Sequence, residues 1–329
     1  MITVLDAGAL TTVQDGGRFG YAHLGVPRAG AADLLSLRCA NRLAGNADDR
    51  CAALEFTLAG PVLRFEVASV LALTGGLVDA QLDDQPIPMY QSVLVNAGQI
   101  LACGKLRSGL RTYLAVHGGI RVAPVLGSMS ADTLSGLGAP ILRPQDVLDI
   151  EPAVMQGGFY LRAPPRFGSD VTLRILSGPH HDLFAPRTSR ELCERRLTVS
   201  QRGDRTGVRL NEALSMPEPL PELPSQGMVT GAIQIPGDGC PLILLSNHGT
   251  TGGYPVIATV ISADHSRMGQ LAAGTRIQFE EVDRAQALKL LRDQEQSLQD
   301  DVVSADESLL EARALLLLAN ANPGLRELR

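Results

Sequence analysis

The run Asn247-His248-Gly249-Thr250-Thr251-Gly252-Gly253-Tyr254-Pro255 concentrates hydrogen-bonding side chains and glycine in nine consecutive positions. It follows the apolar run Pro241–Ser246 and precedes a second, Val256–Ile261. Gly252 and Gly253 let the backbone come close to a ligand. His248, Thr250, Thr251 and Tyr254 supply donors and acceptors at one place. This is the composition of a binding loop on a rigid sheet. The competing reading is a plain hairpin connection between two buried strands.

Four weaker polar clusters accompany it. Thr11-Thr-Val-Gln14-Asp15-Gly-Gly-Arg18-Phe-Gly20 combines an amide, a carboxylate and a guanidinium. Arg18 can hold a carboxylate or phosphate bidentately, or can pair with Asp15 inside a turn. Gly203-Asp204-Arg205-Thr206-Gly207 has the same ingredients and the same two readings. Ser225-Gln226-Gly227 precedes a strand carrying Gln234, and Gly25-Val-Pro27-Arg28-Ala-Gly30, with Asp33 and Asn41, leads into a helix. Together they imply a polar small-molecule ligand. The phosphate loop ending in Lys-Ser/Thr, the Gly-x-Ser-x-Gly elbow and the His-Glu-x-x-His zinc helix are all absent. His180-His181 has no surrounding ligand set and Cys193 has no histidine nearby in sequence, so neither a metal site nor a thiol nucleophile is expected.

The elements that must position these residues are mostly strands. A chain of 329 residues is expected to form about two domains. Leu63, Phe65 and Val67 alternate with Arg64 and Glu66, and Val171, Leu173 and Ile175 alternate with Thr172 and Arg174, as half-buried strands do. Short apolar runs at 69–73, 92–95, 111–116, 146–150, 228–235 and 275–279 are separated by glycine- and proline-rich punctuation, which predicts closed or sandwiched β structure. One helix is predicted over Ala31–Ala44, where Leu34, Leu37, Asn41 and Ala44 share a face. A helical tail is predicted from Arg284, with Leu288, Leu291 and Leu298 as a stripe. Ser304…Glu307 has capping-box spacing for a last helix that ends at Pro323-Gly324. The predicted linker is Gln156–Gly168. Thr74-Gly75-Gly76 echoes Thr251-Gly252-Gly253, as a duplication would.

The net charge of −6 argues against nucleic acid and anionic membrane as partners. Five widely spaced cysteines, an odd number without Cys-x-x-Cys, point to reduced thiols of a cytoplasmic protein. The N-terminal residues lack the basic and apolar regions of a signal peptide, and no apolar run approaches the ~20 residues of a membrane span.

Taken in order, these segments resemble one family over residues 1–282. The resemblance rests on Thr11-Thr-Val-Gln14-Asp15, Arg18-x-Gly20, Gly25-Val-Pro-Arg28, Asn41, Leu54-Glu55, Val116-x-Gly-Gly-Ile120 and Val125-Leu-Gly-Ser128. In the second half it rests on Asp204-Arg205-Thr-Gly207, Gly231-Ala-Ile-Gln234 and Thr250-Thr251-Gly252-Gly253-Tyr254-Pro255. The family is the group of 5-oxoprolinase C subunits, also called allophanate hydrolase subunit 2, KipA-like or biotin-dependent carboxyltransferase. The resemblance implies a mainly β fold. It consists of two cyclophilin-like β-barrel modules at 1–165 and 166–283, followed by the helical tail 284–329.

The activity implied is ATP-dependent opening of the 5-oxo-L-proline lactam to L-glutamate, in a complex with a KipI-like B component and an A component. ATP would be shared with or supplied through those partners. The alternatives are a carboxyltransferase subunit of a urea carboxylase system, with biotin on a partner, and a KipA-like regulatory protein without catalysis. Carried onto this sequence, the catalytic candidates are Thr250 and Thr251, as oxyanion donors, with Gln234 and Arg205. Gln14, Asp15, Arg18, Asn41, Glu55, Ser225, Gln226, Gly252, Gly253 and Tyr254 are the substrate-binding candidates. The chain departs from the family pattern at Gln226 (usually Glu), Asn247 and Gly249 (Asp and Gln), Met129 and Ala131 (Arg and Thr) and Val208 (an aromatic).

Overall fold

The computed structural model describes residues 1–154, 157–216 and 223–321. The Leu63/Phe65 alternation forms strand Val62–Phe65, antiparallel to Ile2–Asp6 on one side and to Ile100–Val116 on the other. Two long strands, Ser69–Leu82 and Ile100–Val116, make the spine of a nine-stranded sheet that stays open as a half-barrel. Their register slips after Gly75. Gly75 has φ +89°, and a Cβ there would lie 2.6 Å from the Arg111 carbonyl oxygen, so only glycine fits this bulge. Leu54, Phe56, Leu63, Phe65, Leu73 and Leu114 fill the concave face. Helix α1 (Leu34–Leu43) starts where Asp33 accepts the Ser36 backbone N–H, and it buries Leu37, Ala40 and Leu43 against Ala72, Tyr113 and Ala115.

The second module is a closed seven-stranded barrel. Around it run Asp170–Ser177, Val256–Val260, Ala232–Gln234, Leu242–Leu244, Gly207–Leu210, Leu197–Gly203 and Arg276–Glu281. Closure comes from a parallel pairing of the first and last strands, Asp170 opposite Arg276 through Ile175 opposite Glu281. Inward-facing Leu173, Ile175, Val199, Ile233, Ile243, Ile257 and Phe279 fill the interior, as the period-two alternation requires.

The hairpin reading of the 247–255 loop is wrong. Leu242–Leu244 and Val256–Val260 do not pair with each other; each is antiparallel to Ala232–Gln234, which lies between them. The loop therefore crosses the end of that central strand. On the way, Thr251–Gly252 pairs with Gln226–Gly227 as a two-stranded ribbon. The Thr-Gly-Gly echo also fails as a mark of duplication: Gly75 lies at a bulge inside a long strand, whereas Gly252 lies in this crossover ribbon.

The tail is not purely helical. Helix α2 (Pro186–Glu194) and the short α3 (His265–Met268) belong to the barrel, and α4 (Arg284–Asp300) follows it. A capping box formed by Asp283 and Gln286 opens α4, and Leu298 anchors its far end in the core beneath α1. Strand Val302–Ala305 then pairs with Gly158–Leu161. Ser304 is thereby taken into a strand, and Asp306 caps α5 (Glu307–Ala321) instead, accepting from Leu309 N at 2.9 Å. Pro323-Gly324 and Gln156 lie outside the described residues. No helix among the described residues is long and apolar enough to cross a membrane.

Candidate active site

The two β modules meet across a seam of buried polar groups. Arg205 reaches from the barrel into the first module, where its Nη1 pairs with Glu55 and its Nη2 donates to the Gly30 carbonyl. Nη2 also lies 3.3 Å from Ser246 Oγ and 3.2 Å from Asn247 Oδ1. Glu55, 2% exposed, accepts from Tyr113 Oη at 2.6 Å and Ala32 N at 2.9 Å, with Arg111 Nε at 3.6 Å. Burial pushes the Glu55 carboxyl up, but Arg205, Arg111 and the Tyr113 hydroxyl outweigh it and hold it below the usual range. Gln270 ties the same seam from the barrel side, donating to Asp33 and the Arg111 carbonyl, each at 2.8 Å.

A cleft of about 640 Å³ opens along this seam. The first module contributes Phe19, Pro27 and Arg28; the barrel contributes Met228–Thr230, His248, Thr250 and Thr259–Ser262. Helices α3 and α4 add His265, Arg284, Ala287, Leu288 and Leu291. No carboxylate lines it among the described residues, although the chain as a whole is acidic. Arg28 and Arg284 make no ion pair among the described residues, and Arg28 lies over the Phe19 ring, 4.2 Å from its centroid. His248 Nδ1 is 2.7 Å from the Gly249 carbonyl oxygen and His265 Nε2 is 3.2 Å from the Val260 carbonyl oxygen. Burial, with a smaller contribution from the Arg28 charge, holds both imidazoles below their usual value, against those hydrogen bonds. They are therefore neutral at pH 7. The cleft thus offers two cations without a carboxylate partner, hydroxyls from Thr230, Thr250 and Ser262, neutral imidazole, and an apolar wall.

A smaller hollow of 230 Å³ shares Arg28, Thr230, Ser262, His265 and Leu291 with this cleft. A third, 420 Å³, lies between α1 and α4. Two of its buried polar groups are already engaged: Asp33 caps α1 and accepts from Gln270, and Tyr90 Oη donates to the Gly75 carbonyl at 2.5 Å. Burial raises the Cys39 thiol there to about 12, which removes it as a nucleophile.

Of the catalytic and substrate-binding candidates carried onto the sequence, Thr250 alone lines the large cleft. Ser225, Gln226, Thr251, Gly252, Gly253 and Tyr254 cluster at the ribbon, with Gln234 beneath it. A Cβ on Gly252 would lie 2.8 Å from Gln234 Nε2. Gln226 sits beside His180, whose Nδ1 accepts the Val256 N–H at 3.0 Å. Neither turn ion pair forms. Asp15 instead organises the 128–130 loop, accepting from Ser128 Oγ and Met129 N at 2.7 Å and from Ser130 Oγ at 2.5 Å. Arg18, 2% exposed, donates to the Val125 and Ser130 carbonyls, and Asp204 closes its own turn onto Thr206 N. Gln14 donates to Thr12 and the Ala131 carbonyl. Asn41 spans the Cys51 carbonyl and the Asn46 amide. Gln14, Asp15, Arg18 and Asn41, with Glu55 and Arg205, hold loops and modules together. The sequence reading missed Arg28, His248, His265 and Arg284 as one group. They come from four separate segments, and only the proximity of Arg284 to the Asp283 cap and of Arg28 to Pro27 marks either as fixed in place.

The family model for the carboxyltransferase domain, subdomain A and B, matches residues 24–281. The C subunit of the Escherichia coli 5-oxoprolinase is 35% identical over 298 residues, covering 90% of this chain and 96% of that one. The Haemophilus influenzae protein of the same name is 34% identical with the same coverage. The solved K. lactis urea amidolyase superposes with a TM-score of 0.82 at 31% identity. It aligns with 92% of this chain, which spans only 20% of that enzyme. The cleft and the interlocked modules are thus features of a member of the carboxyltransferase domain family, subdomains A and B, to which this chain belongs.

Proposed function

We propose that this chain acts as the C component of an ATP-dependent 5-oxoprolinase and that the cleft between its modules receives the lactam. The observation that carries this reading is a cleft with two arginines free of ion pairs, an apolar wall and no lining carboxylate among the described residues. 5-Oxo-L-proline presents a carboxylate, a cyclic amide and a hydrocarbon ring edge. Arg28 and Arg284 suit the carboxylate, Thr250 and Ser262 the amide, and Val229, Leu288 and Leu291 the ring. Urea offers neither the charge nor the apolar surface, so the lactam is the better match. The names of the bacterial relatives point the same way. The sequence has no phosphate loop, and ATP contacts are assigned to the A and B partners.

The test is glutamate release from 5-oxo-L-proline and ATP by the complex with those partners. Charge-assisted hydrogen bonds contribute about 1.5–3 kcal/mol, so Arg28→Ala or Arg284→Ala should raise KM by about 10- to 100-fold. A well-assembled complex that is silent on the lactam, yet carboxylates urea with a biotinylated partner, would overturn the proposal in favour of carboxyl transfer. The likeness to the K. lactis urea amidolyase supports that second reading.

A further inference from the structure

We propose that His248 is the catalytic base of the cleft, taking the N–H proton of a bound amide on its Nε2. This rests on the reading of the cleft as an amide site. The geometry isolates one candidate. Among the cleft residues no carboxylate is available, Arg28 and Arg284 are permanently protonated, and Thr250 is a weak base. Two imidazoles remain, and their hydrogen bonds differ. His265 directs its distal Nε2 to the Val260 carbonyl, so that nitrogen carries the proton and the remaining lone pair is on Nδ1, beside the ring's own attachment to the α3 backbone. His248 directs Nδ1 to the Gly249 carbonyl at 2.7 Å, which fixes the proton on Nδ1 and leaves Nε2 as a lone pair. That Nε2 has no protein partner among the described residues, and the ring lines the cleft two residues from Thr250.

The ring is also held firmly. His248 is 9% exposed, and its N–H donates to the Leu245 carbonyl at 3.1 Å. The preceding Asn247 is locked between Arg205 and Asp132. The charged and titratable groups that share the cleft are Arg28 from the first module, His265 from α3 and Arg284 from α4. All are cationic or neutral; only the Gly249 carbonyl favours imidazolium, burial and the Arg28 charge outweigh it, and the base stays unprotonated at neutral pH.

Nε2 takes the amide proton, and the N–H pair becomes the C–N π bond. The carbonyl π pair moves onto oxygen, and that oxygen bonds to the terminal phosphorus of a nucleoside triphosphate brought by a partner protein. The bridging P–O bond breaks and nucleoside diphosphate departs, leaving His248 as imidazolium.

The experiment uses the assembled complex with wild type, His248→Ala and His248→Asn. The asparagine keeps a donor for the Gly249 carbonyl and so preserves the loop. Both variants should lose about 100- to 10,000-fold in kcat while KM for the amide changes little. The acidic limb of the pH–rate profile should vanish with them, and added imidazole should restore part of the rate to His248→Ala. An active wild type whose asparagine variant keeps both kcat and the acidic limb overturns the proposal. If the wild-type complex is inactive on 5-oxo-L-proline, the imidazole NMR signal of His248 decides. A shift on adding 5-oxo-L-proline or urea retains the base while the oxoprolinase reading falls; no shift with either ends the proposal.

Discussion

Cutting the Glu55–Arg205 pair should unlock the two modules, and the size of the effect follows from what each side chain leaves behind. Arg205→Met removes the ion pair, the hydrogen bond to the Gly30 carbonyl and the longer contacts to Ser246 and Asn247. Breaking one side of a buried pair costs about 3–5 kcal/mol because the other charge is stranded. Glu55 is not fully stranded here. Arg111 Nε stays at 3.6 Å, and Tyr113 Oη and Ala32 N still donate. The loss should therefore lie near the low end, about 3 kcal/mol. Glu55→Ala leaves more unpaired: two guanidinium groups, the Tyr113 hydroxyl and the Ala32 N–H, in a region where Arg205 Nε and Arg111 Nε already have no hydrogen-bond partner. That places it near the top, about 5 kcal/mol.

The two residues touch, so the double variant should be less destabilised than the sum by about 2 kcal/mol or more. Urea unfolding of the four proteins at pH 7, followed by a signal from each module, measures this. A second, separate transition in the single variants would show the modules melting independently, as loss of the seam predicts. Single variants within about 1 kcal/mol of the parent, or costs that add to within about 0.5 kcal/mol, would refute the argument that this pair locks the modules.

Two further outcomes follow. His265 is held below its usual value, so its contribution to stability is complete above the unfolded value of about 6.5 and is lost as pH falls through the folded one. His265→Gln should accordingly flatten the fall in urea midpoint between pH 7.5 and about 5.5, and an unchanged slope would contradict this. Asp283→Ala removes the α4 capping box and should cost the helix about 1 kcal/mol. Amide exchange should quicken over 284–288, the turn that lines the cleft, and stay unchanged near the buried Leu298; uniform exchange along α4 would count against it.

The strands were legible because burial on one face writes itself into the sequence. Leu63/Phe65 and Leu173/Ile175 alternate with polar residues, and both became strands with those side chains inside. The path of the 247–255 loop was not legible. Two apolar runs joined by a Gly-Gly loop read as a hairpin, and nothing local reveals that a third strand, Ala232–Gln234, intervenes. The polar clusters show the same limit. Arg18 and Arg205 each sit beside an aspartate in sequence, yet Arg18 bonds to carbonyls more than a hundred residues away and Arg205 to Glu55. Sequence proximity offered a cheap partner, but burial selected distant ones, within the first module for Arg18 and across the module seam for Arg205.

The departures from the family pattern are better judged from this seam than one residue at a time. Asn247 stands where the pattern has an aspartate, which reads in isolation as a lost charge. In the structure its Nδ2 donates to Asp132 Oδ1 at 2.9 Å while its Oδ1 faces Arg205 at 3.2 Å. An aspartate cannot donate, and at this fully buried position it would confront Asp132 as a like charge. The amide satisfies a carboxylate and a guanidinium at once, so here it is the better joint. Met129 likewise packs on the first core while its N–H caps Asp15, and Val208 fits inside the barrel opposite Ile243. None of these three side chains lines the large cleft. Of the three only Asn247 joins the modules, and all three leave Arg28, His248, Thr250 and Arg284 lining the cleft.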